Sequence, residues 1–90
     1  MDIADWRKKI DAIDQQLVAL LNQRCECALA IGALKRERAL PIAEPVREDA
    51  VMANLHTANR TQQGPLPDAA LDEIFTAIMA QMRHLQSAPD

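Results

Sequence analysis

Residues 19–35, "ALLNQRCECALAIGALK" (Ala19–Lys35), put an arginine where helical packing calls for a leucine. Apolar residues precede it at Trp6, Ile10, Ile13, Leu17 and Leu20 and follow it at Cys27, Ile31 and Leu34. The steps alternate four and three, which is the spacing of a single helical seam. Arg24 lies on that seam, four residues after Leu20 and three before Cys27. A permanent charge in an apolar stripe requires a reason.

Outward from this stretch, the helical pattern runs from about Asp5 to Arg38 without a proline. Gly32 lowers helix propensity by roughly 1 kcal/mol, yet the seam continues to Leu34. We read Gly32 as a point where something approaches the backbone closely. "ERALPIAEP" is a loop, and Pro45 suits the first turn of a second helix, with Glu48 and Asp49 near its positive dipole end. That helix is expected to reach about Asn59, with Val51, Met52 and Leu55 on its apolar face. "RTQQGPLP" forms a second loop. Pro67 and Asp68 open a third helix with apolar positions Leu71, Ile74, Phe75, Ile78, Met79, Met82 and Leu85.

The fold class is therefore all-α, three helices in a single domain spanning residues 1–90. A first helix of about 33 residues is a rod of about 50 Å, whereas a compact chain of this length has a radius of gyration of only about 12 Å. The two shorter helices, of about 15 and 20 residues, could each cover little more than half of such a rod. An intertwined homodimer is the simplest remedy.

Composition narrows the function classes. Glycine is nearly absent and β-branched runs are missing, which favours helix over sheet. A net charge of −3 and the lack of a basic amphipathic face give no reason to expect nucleic acid. No uninterrupted apolar run of about 18 residues and no signal-peptide core are evident, so we expect a cytoplasmic protein without a membrane segment. Cys25 and Cys27 point about 200° apart on a helix, which suits neither a mutual disulfide nor joint metal chelation. They read as small packing residues, and His56 and His84 as ordinary boundary residues. We expect no metal site.

Several polar residues break the apolar faces. Lys35 follows Arg24 by eleven residues, three turns plus about 20°, so both cations lie on one face about 16 Å apart. Gln86 follows Phe75, Met79 and Met82 by eleven, seven and four residues and projects from the apolar face of the third helix. Singly, such residues often snorkel, pair or fray into water. Their alignment with Arg47 and Glu48 at the start of the second helix points to a ligand site inside a helical bundle. Arg7 precedes Arg24 by about 25 Å along the rod. It reaches the same ligand only if two long helices pair antiparallel.

"WRKKIDAIDQQLVALLNQR", "IGALK" and "PIAEPVRE" together resemble the all-helical (type II) chorismate mutases, over nearly the whole chain. The resemblance implies three-helix chains intertwined as homodimers with two active sites, converting chorismate to prephenate in phenylalanine and tyrosine biosynthesis without a cofactor. It implies that Arg7, Arg24 and Lys35 are cationic binding residues, with Arg7 lent across the dimer. Arg47 and Glu48 match the family's R-E pair, Gln86 its late helix-three amide, and Glu44 stands where the family usually has Asp. Met82 occupies a position where at least one member has Ser.

Chorismate is a dianion and its rearrangement is intramolecular, so the site must confine a folded conformer and stabilise charge on the breaking ether oxygen. Arginines can hold carboxylates bidentately, which suits Arg7 and Arg24. By the resemblance, Lys35 and Gln86 donate to the ether oxygen, while Glu48, helped by Glu44, accepts from the ring hydroxyl. Isochorismate pyruvate lyase is the nearest alternative, because those enzymes resemble the same scaffold with the same Arg, Arg, Lys and Gln. The acidic-P-x-R-E junction favours the mutase. A non-catalytic dimerisation or regulatory module, and more remotely a helix-turn-helix DNA binder, are alternatives from other classes.

Overall fold

The computed structural model describes residues 1–87 of the 90-residue chain. Helix α1 spans Ile3–Glu37, α2 Pro45–Gln62 and α3 Asp68–Ser87. α1 begins earlier than its apolar pattern does because Asp2 and Asp5 form a reciprocal capping box. The Asp5 amide donates to Asp2 at 3.0 Å and the Asp2 amide to Asp5 at 3.1 Å. α1 stops where Ala39 turns left-handed (φ 53°) and the Leu40 amide folds back onto the Lys35 carbonyl at 2.8 Å.

Pro45 takes the first position of α2, whose N-cap is Glu44. α2 runs three residues beyond the expected Asn59. Its end is set at Gln63 (φ 52°), not by the arginine that opens the polar stretch. Asn59 then ties the following loop down, donating to the Leu66 carbonyl at 2.9 Å and to Asp68 at 3.1 Å.

α3 packs against both other helices, while the backbones of α1 and α2 stay apart among the described residues. The contact between α1 and α3 does not use the long seam. It uses Ala28, Gly32 and Lys35, the three buried residues of α1, spaced four and three apart on a neighbouring face. Small residues explain the choice. A Cβ built on Gly32 would lie 3.1 Å from Gln86 Cγ and 3.2 Å from Gln86 Cα, so only glycine admits α3 this closely. The expected close approach at Gly32 is thus a helix crossing.

The bulky seam stays uncovered: Trp6, Ile10, Ile13, Leu17 and Leu20 are all half or more exposed. Ile74 on α3 is also exposed, unlike Leu71, Met79 and Met82, which form the small core with Ala28. The radius of gyration is 16.1 Å, and the principal extents are 54 × 28 × 17 Å. The accessible surface of 7125 Å² exceeds by about 1,900 Å² what a compact 10.0 kDa chain exposes.

The apolar content of α1 is higher than a count of consecutive apolar residues suggests. Although no uninterrupted apolar run exists, α1 contains an 18-residue window of mean hydropathy 1.4, apolar and long enough to cross a membrane by composition. Any such window with two charges at most includes Arg24 and Glu26. The hydropathy comes from alanines and leucines spread around the helix, which counting consecutive residues overlooks.

Candidate active site

A cavity of about 330 Å³ opens where the last third of α1, the 38–44 connection, the start of α2 and the end of α3 converge. Its wall carries the apolar residues Ile31, Val51, Met79 and Met82. Its polar residues are Arg24, Lys35, Glu44, Arg47, Glu48, Arg83 and Gln86. Six of the seven site residues expected from sequence therefore line one cavity. Arg7 does not, since it lies near the other end of the same straight helix, exposed to solvent.

Lys35 and Gln86 are the two buried polar side chains among the described residues, 6 % and 7 % exposed. Lys35 Nζ donates to the Ile42 carbonyl at 2.8 Å and to Gln86 Oε1 at 3.0 Å, and pairs with Glu44 Oε2 at 3.0 Å. Gln86 Nε2 donates to the Ala28 carbonyl at 3.1 Å. These contacts set the amide's direction, since the reverse would place an NH2 group against an ammonium and an oxygen against a carbonyl. One N–H of Gln86 is left over. The last turn of α3 is held by Arg36, which donates to the Gln86 carbonyl at 2.9 Å.

The charges divide into pairs and surplus. Lys35 faces Glu44, and Arg83 Nη1 grips both oxygens of Glu48. Arg24 and Arg47 have no ionic or hydrogen-bonded partner among the described residues. The cavity thus holds two carboxylates, each matched, and two unmatched guanidiniums, a composition suited to a dianion.

Sequence reading missed Arg83. It lies four residues after Met79 and three before Gln86, hence on the cavity face of α3, but a cation near a helix C-terminus reads first as a dipole partner. Cys27 was taken for packing and instead lines the cavity, whereas Cys25 does not. Both thiols are free. His56 contacts Asp72 across α2 and α3 and does not line the cavity.

Fold and cavity together define an all-helical domain with a cation-rich cavity between its helices. The chain belongs to the chorismate mutase type II family, whose profile matches residues 6–87. It is 33% identical over 86 residues, 94% of this chain, to the bifunctional chorismate mutase/prephenate dehydratase of Aquifex aeolicus. It is 39% identical over 75 residues, 83% of this chain, to the protein of the same description from Neisseria gonorrhoeae. The chain spans only 24% and 19% of the length of those two relatives. A solved chorismate mutase from Thermus thermophilus superposes with a TM-score of 0.90 at 31% identity, covering 98% of this chain and 97% of that one.

Proposed function

We propose that this chain, as a single domain over residues 1–90, is a chorismate mutase that rearranges chorismate to prephenate in aromatic amino acid biosynthesis. The observation that carries the reading is the pairing of the only two buried polar residues described, Lys35 and Gln86, at the edge of a cavity with two unmatched arginines. Arg24, Arg47 and a partner's arginine grip the two carboxylates and fold the substrate. Lys35 and the spare N–H of Gln86 donate to the ether oxygen as its bond to the ring breaks, while Glu48 accepts from the ring hydroxyl. No proton is transferred and no covalent intermediate forms. Loss of chorismate absorbance, measured beside isochorismate, tests this. Pyruvate release from isochorismate without chorismate turnover would assign the chain to the lyases instead.

The working unit is a homodimer in the cytoplasm. Support comes from the exposed seam of α1, the excess surface and the distance of Arg7 from its own cavity. A twofold axis crossing α1 near Gln16 sets Arg7 of one chain level with Arg24 of the other, because 16 is close to the midpoint of 7 and 24. Mixing inactive Arg7→Ala and Arg24→Ala chains is therefore expected to restore activity, since one site of the hybrid dimer receives both lesions and the other none. Sedimentation of an active 10 kDa monomer, or no recovery after verified chain exchange, overturns the shared site.

Gly32→Ala tests how tightly Gln86 is placed. The added methyl meets Gln86 Cα at 3.2 Å, so α3 must retreat by a few tenths of an ångström. We expect turnover to fall by about tenfold or more. The gain in helix propensity of about 1 kcal/mol offsets part of the packing cost, so Tm changes little. A variant that melts much earlier yet turns over normally would show that the crossing serves stability alone.

A further inference from the structure

The ammonium of Lys35 has three N–H groups, and all three are occupied, by Ile42 O, Gln86 Oε1 and Glu44 Oε2. Donation to a substrate oxygen requires one of these partners to leave. Ile42 O belongs to the main chain, and Gln86 is buried and held from its other side by Ala28 O. The Glu44 side chain is 48% exposed, so water can receive its carboxylate at little cost.

Glu44 has a second peculiarity. It is the N-cap of α2, yet its side chain makes no capping hydrogen bond. The amides at the start of that helix go without the side-chain acceptor that Asp, Asn or Ser supplies at this position. The longer glutamate side chain reaches into the cavity instead of turning back on the helix.

From these two observations we propose that Glu44 is a positioning residue, a placeholder that keeps Lys35 aimed into the empty cavity and is displaced when the substrate anion arrives. It does not contact the substrate's hydroxyl, the role the family resemblance implied for it. This rests on the reading of the cavity given above. Binding then includes the work of breaking the Lys35–Glu44 contact, which raises KM. Once displaced, Glu44 is free to turn to the exposed amides of α2.

Shortening the side chain separates this from a general charge effect. Glu44→Asp keeps the charge but shortens the reach by about one C–C bond, ~1.5 Å. At an N-cap position aspartate also has a local alternative, the N2 or N3 amide. Both Glu44→Asp and Glu44→Ala are expected to raise kcat/KM several-fold through a lower KM, and Glu44→Asp is expected to melt at or above the wild-type Tm. A higher KM in either variant would show that Glu44 touches the substrate. A lower KM in Glu44→Ala alone would show that only the charge matters, and a clear drop in Tm for Glu44→Asp would show that no cap forms. The Tm comparison needs no substrate. A wild-type chain inert toward chorismate would thus overturn the functional reading while leaving the fate of Glu44 readable.

Discussion

Arg24→Leu is expected to yield a folded protein whose kcat/KM for chorismate is lower by orders of magnitude. Arg24 is half-buried at the cavity edge and has no partner to lose among the described residues. Leucine there continues the seam from Leu20 to Cys27, and apolar replacement of a charge taken out of water is often neutral or stabilising. Tm should therefore hold or rise. Losing one side of a desolvated, hydrogen-bonded charge pair costs about 2–5 kcal/mol. That is about 30- to 5,000-fold in rate at 1.36 kcal/mol per decade. Arg24→Lys should recover part of the loss, since it keeps the charge without the two-pronged geometry. Melting curves and steady-state kinetics on the three proteins decide the matter. A leucine variant with near-normal turnover removes Arg24 from the site.

Gln86→Glu is expected to give an enzyme whose turnover rises as pH falls, a gain the wild type lacks. The amide now gives one N–H to Ala28 O and keeps another for the ligand. A carboxylate in its place can only accept. It would face the Ala28 carbonyl with like polarity and oppose charge building on the ether oxygen. Loss of such a donor costs about 10²–10³ in rate. Protonation restores a donor, so turnover should climb as pH falls. Burial favours the neutral acid and the neighbouring ammonium of Lys35 favours the carboxylate. These oppose each other, and the direction of the pH dependence follows while the midpoint does not. Turnover against pH for variant and wild type, with helicity checked at each point, reads the difference. Parallel profiles would place Gln86 away from the breaking bond.

The parts of the fold that were legible rested on period and punctuation. The four-three spacing identified α1, Pro45 marked the first turn of α2, and Asp68 opened α3. The boundaries that slipped were fixed by atoms that periodicity does not record: the Asp2–Asp5 box moved the start of α1 to Ile3, and Gln63 in a left-handed conformation carried α2 to Gln62. Gly32 was legible because a glycine inside a long helix demands a close neighbour, although its neighbour, Gln86, was not. Within the cavity, Arg24, Lys35 and Gln86 could be singled out because each interrupts an apolar face. Arg83 interrupts nothing in one dimension. It becomes visible only when α2 brings Glu48 across from it. The face of α1 that meets α3 carries the small residues Ala28 and Gly32, which no apolar pattern singles out.

No large side chain among the described residues of a single chain is fully buried, and the broadest apolar stripe lies open along α1. In the proposed dimer that stripe becomes the interior, so folding and association are a single equilibrium. Its equilibrium constant then carries units of concentration: dilution alone is a denaturant, and the melting temperature drifts upward with the logarithm of protein present. In that dimer a substitution at Ile13 or Leu17 would shift the free energies of dissociation and of unfolding together. Enzyme activity inherits the same dependence. At scarce expression the cell would lose catalysis by losing pairs, with every remaining chain chemically intact.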